Sequence, residues 1–176
     1  MNLFKKINCF FGSINHDIRL FNPRASFVCG VVSLILGVFS WFVGGRADKV
    51  MLIYIFPRSA LSLGVMYFLW ALSFFIFGMI IGGVMFGCEK YKRKETAKIS
   101  MFLLIALLFM LCIYPVFFKS MSPFITFLIF LVVEFFSVLA VCSSLRVYSL
   151  WTILLIIHSL WIFYNCFLSF AIAIIN

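Results

Sequence analysis

Acidic residues are scarce: five Asp or Glu stand against 14 Lys or Arg in 176 residues, and charged residues make up only 11% of the chain. The six cysteines form no C-x-x-C pair, and no Gly-rich phosphate loop, zinc-type His/Cys spacing or paired carboxylate occurs. Serines are frequent, but none has a base and an orienting group beside it. Those absences remove the residue sets that phosphoryl transfer, metal-assisted hydrolysis and nucleophilic hydrolysis require. No catalytic residue and no resident cofactor is expected. Cys29, Cys112, Cys142 and Cys166 fall inside apolar runs, where a free thiol behaves as a small hydrophobe, so neither a disulfide framework nor a metal site is predicted. Residues 1–25 lack a continuous apolar stretch, which argues against a cleavable signal peptide.

What the chain has in excess is apolar surface. Hydrophobic residues reach 66%, with 25 Phe, and the mean hydropathy is +1.23. A water-soluble domain cannot hide that much, so the expectation is an all-α membrane protein. The net charge of +9 does not point to a nucleic-acid partner, because the basic residues sit in the tail and in the connections between apolar runs. They read as membrane topology.

Five apolar runs are long enough to cross a bilayer, at about 27–43, 61–86, 99–118, 124–145 and 147–175. A five-helix transmembrane domain over 26–176 follows, preceded by a tail over 1–25. In the tail, Phe4, Ile7, Phe11, Ile14, Ile18 and Phe21 recur at spacings of three and four, with Lys5, Lys6 and Arg19 off that stripe. The pattern fits either an amphipathic helix on an anionic membrane surface or a disordered tail. The first connection holds Val50–Phe56, apolar but too short to cross, which predicts a segment that folds over the bundle mouth or dips into the membrane interface. Gly78-x-x-x-Gly82 and Gly83-x-x-x-Gly87 in the second span let helix backbones approach closely, either within the chain or in a homodimer. Tail, second connection and fourth connection carry ten Lys or Arg, and the opposite side carries four. The positive-inside rule then places the N-terminus in the cytoplasm and the C-terminus outside, in the cell membrane.

The final run is unusual for a helix that only sits in lipid. It carries His158, Trp161, Asn165, Ser169 and Asn176, at offsets of 3, 7, 11 and 18 from the histidine. Those offsets share one side of a 3.6-residue helix, and lipid offers such a stripe no partners. It should face other helices or a cavity. Tyr67 and Trp70, early in the second span, should reach a similar depth and complete an aromatic slot for a flat, largely apolar molecule.

Glu134 is the one acid inside a span. It lies twelve residues before Arg146 and His158 twelve after, so an antiparallel hairpin places both about 18 Å from the turn. Two readings stand: a Glu134–His158 hydrogen bond that fastens two helices, or groups that line a cavity and relay a proton in a transporter of small solutes. A structural subunit that pairs through its glycine faces is a third possibility for the chain as a whole.

Pro115-Val116-Phe117-Phe118, the Ser122-Pro123 turn, Arg146-Val147-x-x-Leu150, Trp161 and Asn176 together resemble the TspO/MBR family of tryptophan-rich sensory proteins and the mitochondrial translocator protein, or peripheral benzodiazepine receptor. Trp161 falls 44 residues after Phe117, as the family spacing requires, and Leu63-Gly64 resembles the start of its second-helix motif. Ile157 and His158 replace the family's Pro and Tyr, Asn165 its Ala, and Tyr67 a tryptophan. The resemblance implies five membrane helices and a pocket that binds tetrapyrroles such as porphyrin, serving a sensor or transporter. Its pocket positions correspond to Leu63, Gly64, Met66, Tyr67, Trp161, Asn165 and Leu168. With His158 and Ser169 from the polar stripe, these are the expected ligand-binding residues. The family's sterol-recognition pattern is missing, since 170–176 holds no Lys or Arg.

Overall fold

A computed structural model of the chain describes residues 12, 22–44, 55–87, 94–120, 122–145 and 149–176. The amphipathic tail, the start of the first connection and the turn around Arg146 lie outside those residues. Five helices occupy the rest: α1 (Pro23–Gly44), α2 (Leu63–Gly87), α3 (Lys94–Ser120), α4 (Pro123–Ser144) and α5 (Ser149–Ile175). Each is long and apolar enough to span a bilayer. The protein is an all-α, multi-pass membrane protein.

Two helix starts differ from expectation. α1 begins at 23, not 27, because Asn22 caps it and Pro23 takes the first helical position, where a missing N–H costs nothing. Asn22 Oδ1 accepts the Ala25 N–H at 3.2 Å. α3 begins at 94, not 99, since the polar stretch Lys94–Lys98 is itself helix-forming and joins Glu95 to Lys98 at 3.0 Å. α4 starts as the Ser122-Pro123 pair predicts, with Ser122 Oγ accepting the Ile125 N–H.

The helices close a ring in the order α1, α2, α5, α4, α3, with α2 also touching α3 across the middle. The ring is filled. Phe74, Phe77, Leu104, Leu107, Phe130, Leu155 and Ile162 are fully buried. Trp70 packs between Trp41, Phe74 and Tyr114, with centroids 5.6 to 5.8 Å apart, and Tyr114 meets Phe130 at 4.0 Å. Aromatic edge-to-face and tilted contacts of this kind add about 0.5–1.5 kcal/mol each beyond the area they bury.

α1 meets α2 through small residues. Ser26, Gly30, Ser33, Gly37, Ser40 and Gly44 are its buried positions, spaced four and three in alternation. That repeat keeps one face of α1 nearly free of side chains: a Cβ on Gly30 or Gly37 would meet the Met79, Phe75 and Phe74 side chains of α2, and one on Gly44 would meet Pro115 of α3. From α2, a Cβ on Gly82 would stand 2.8 Å from Ser26 Cα, and one on Gly78 would strike the Cys29 carbonyl oxygen. Gly83 faces the other way, and a Cβ there would strike the Trp151 indole of α5. The glycine faces of α2 are therefore occupied within the chain. α3 and α4 are joined by a buried Ser100–Ser144 hydroxyl pair at 2.8 Å.

Candidate functional site

The polar stripe of α5 turns inward: His158, Asn165, Leu168 and Ser169 are all buried, and Trp161 is half-buried. The structure divides its members among different neighbours. Asn165 donates from Nδ2 to the Trp161 carbonyl of its own helix at 2.7 Å. Ser169 shares a hydrogen bond with the Tyr114 phenol of α3. His158 lies against Phe77 of α2, ring centroids 4.6 Å apart, and neither of its nitrogens has a partner. Asn176 reaches out to the first connection, where Ile55 N–H donates to its Oδ1 at 2.8 Å.

The Glu134–His158 hydrogen bond is not formed. Ser159 Oγ donates to Glu134 Oε1 at 3.2 Å instead, and Glu134 Oε2 is buried without a partner. The depth argument places the two residues correctly along the helices. One residue of helix turns about 100°, however, so the side of α5 that faces α4 belongs to Ser159, while His158 faces α2.

A groove of about 340 Å³ lies between α2 and α5, the loosest seam of the ring. Leu69, Leu72, Ser73 and Ile76 of α2 form one wall. The other wall is Ile157, His158, Leu160, Trp161 and Tyr164 of α5. Leu72, Ile157 and Leu160 are exposed, so the groove opens sideways toward lipid. At one end the Trp151 indole of α5 sits directly on Gly83 of α2. Inside, the Trp161 and Tyr164 rings stack at 5.5 Å with 22° between their planes. The Trp161 indole N–H has no partner.

Of the expected binding residues, only His158 and Trp161 reach this groove. Tyr67 turns to the other side of α2 and meets Trp41 edge-on at 5.6 Å. Gly64 is exposed with open space around it, Met66 is half-buried elsewhere, and the Leu63 side chain lies outside the described residues. Asn165, Leu168 and Ser169 are spent on the packed interior. Trp70 fills the core. Sequence reasoning missed Tyr164, Ser73 and Ser159. Tyr164 was visible, because it stands three residues after Trp161, where two side chains of one helix are neighbours. Nothing local distinguished Ser73 or Ser159 from other serines. Among the described residues no group of His, Cys, Asp or Glu assembles that would hold a metal, and Cys29, Cys112, Cys142 and Cys166 are free thiols.

The fold and groove define an integral membrane protein with five helices and a lateral apolar recess. No protein-family model matches the chain, and no curated protein matches it.

Proposed function

We propose that the α2/α5 groove binds a flat, largely apolar molecule taken up from the bilayer, in a protein of TspO type. The observation that carries this reading is the stacked Trp161–Tyr164 pair on the wall of a recess open to lipid. Rings stacked at so small an angle leave an outer aromatic face on the groove wall, and a flat ligand gains most from stacking on such a face. At about 340 Å³ the groove sits near the lower end of the ~300–1,000 Å³ typical of small-molecule sites. A tetrapyrrole, the class the family resemblance implies, enters edge-first with part of the macrocycle left among acyl chains. Its walls hold no Lys or Arg, so the carboxylate groups of a porphyrin point outward. The chain acts as sensor or carrier, in the cell membrane, with the start of α1 at the cytoplasmic face and the end of α5 outside.

Titration of purified protein with protoporphyrin, followed by tryptophan fluorescence, tests the reading. Trp161→Phe should weaken affinity about fivefold to tenfold, the loss of one stacking contact of ~1 kcal/mol or slightly more. Equal affinity and equal quenching in parent and variant reject the stacking role.

A second reading rests on a different observation, the unpartnered Glu134 Oε2 in the middle of α4. A carboxyl group held there by a single serine is suited to taking up and releasing a proton. Proton-coupled flux of a small solute in proteoliposomes should then disappear in Glu134→Gln, and persistence of that flux removes this reading.

A further inference from the structure

Each wall of the groove brings one polar side chain to its inner half. On α5 it is His158, almost wholly buried, with neither ring nitrogen in a hydrogen bond. On α2 it is Ser73. The helices run antiparallel: the Leu61 N–H, just before α2, donates to the Tyr164 hydroxyl near the end of α5. The His158–Phe77 ring contact, 4.6 Å between centroids, fixes their relative level. Ser73 stands four residues from Phe77 and Trp161 three from His158, in the same direction, so they lie about 6 Å and about 4.5 Å beyond that contact. Ser73 therefore faces Trp161 across the groove, one turn from His158, and Tyr164 follows a turn farther out.

An imidazole at this place is unfavourable unless something meets it. Its buried donor has given up water and gained no acceptor. A phenyl ring would make the same contact with Phe77. The Tyr164 hydroxyl is already engaged, by the Leu61 N–H and the Ser59 carbonyl. The Trp161 indole N–H lies in the plane of its ring and cannot serve a molecule stacked on that ring's face. His158 and Ser73 are left as the groups that an occupant's polar edge can reach.

We propose that the groove takes a lipid-soluble quinone, its ring on the Trp161–Tyr164 face and one carbonyl oxygen accepting hydrogen bonds from His158 and Ser73. This rests on the reading of the groove as a site for a flat molecule from the bilayer, and it names a class of occupant other than the tetrapyrrole. A neutral imidazole offers one donor and one acceptor, so a quinone can accept from it and the corresponding quinol can donate to it. His158 meets the oxygen by a change of rotamer toward the open volume beside it. That volume, about 340 Å³, suits a head group of one or two rings better than a macrocycle. The sideways opening, flanked by exposed Leu72, Ile157 and Leu160, lets a prenyl tail run out among the acyl chains.

Two probes that differ only in the oxygens test this: duroquinone, which has no free ring position for thiols to attack, and durene, the same methylated ring without carbonyls. Binding to the full chain in lipid nanodiscs is measured by calorimetry and corrected for partition into empty nanodiscs. Duroquinone should bind the parent about tenfold more tightly than durene. His158→Phe keeps a ring against Phe77, and Ser73→Ala keeps the helix. Each should weaken duroquinone about threefold to tenfold and leave durene unchanged. The infrared carbonyl band of bound duroquinone should lie below its frequency in lipid and move back in His158→Phe. Trp161→Phe should weaken both probes, since both stack on it. Equal affinity of the two probes for the parent overturns the proposal, as does a quinone preference that survives in the double variant His158→Phe/Ser73→Ala. Durene and protoporphyrin bound through Trp161, with no preference for duroquinone, reject the quinone and keep the groove as a site for flat molecules. Binding of none of the three rejects both.

Discussion

Gly78 is where the α1/α2 seam tolerates least. A methyl group there would strike the Cys29 carbonyl oxygen, reach within 2.5 Å of Ser33 Cβ and stand 2.9 Å from Gly30 Cα. Ordinary contact begins near 3.4 Å, and two of these three atoms are backbone, which has no rotamer to change. Gly78→Ala therefore moves α1 outward by roughly 0.5–1 Å along the seam. A radial gap of that size forfeits a quarter to a half of the dispersion well between atoms that had been in contact. Overpacking of this kind costs about 1–3 kcal/mol, less the few tenths to ~1 kcal/mol that alanine gains over glycine in a helix. Gly64→Ala is the internal control, since no atom lies within 4 Å of a Cβ there. It should be neutral or stabilising by ~0.5–1 kcal/mol. The assay is the unfolding midpoint in a titration of mild detergent with a denaturing one, read by far-ultraviolet circular dichroism. Gly78→Ala with the midpoint of the parent, or with that of Gly64→Ala, would refute the claim that this glycine is buried against α1.

Other expectations are more local. Ser144→Ala leaves the Ser100 hydroxyl buried without its partner and should cost about 1–2 kcal/mol, whereas the double variant Ser100→Ala/Ser144→Ala should cost less than the sum of the singles. Glu134→Gln keeps an acceptor for the Ser159 hydroxyl, so its unfolding midpoint should stay within about 1 kcal/mol of the parent; a larger drop would show that the carboxylate is needed as a charge. Asn22→Ala removes the α1 cap and should cost about 1 kcal/mol, detectable as faster amide exchange in the first turn with the other helices unchanged. Gly82→Leu, a substitution that would disrupt a glycine-mediated dimer, should lower monomer stability instead, because Gly82 faces Ser26 and Cys29 of the same chain.

The five spans and the inward stripe of α5 were legible because lipid simplifies the solvent. In hydrocarbon a backbone must close its own hydrogen bonds, so a long apolar run has one available form, and a polar stripe has one tolerable direction. Asn22 and Pro23 were not read as the start of α1, because the apolar run begins only at Phe27. The small-residue repeat from Ser26 to Gly44 was present in plain spacing, but a serine or glycine means little until the helix that presses on it is known. Depth was readable to within one residue, as Glu134 and Ser159 show. Azimuth was not: whether His158 or its neighbour meets the carboxylate depends on how α5 is rotated against α4 and α2, and several packed surfaces set that rotation together.

From residue order alone came the class of protein, the number of its membrane-spanning helices, the depth of Glu134 and the inward side of α5, all consequences of local apolarity and helical period. Tertiary structure decided which helices are neighbours, that Trp70 and Tyr67 leave the groove while Tyr164 enters it, and that Asn176 pairs with Ile55. Those outcomes depend on side chains far apart in the chain competing for the same space, and no local period encodes which of them wins.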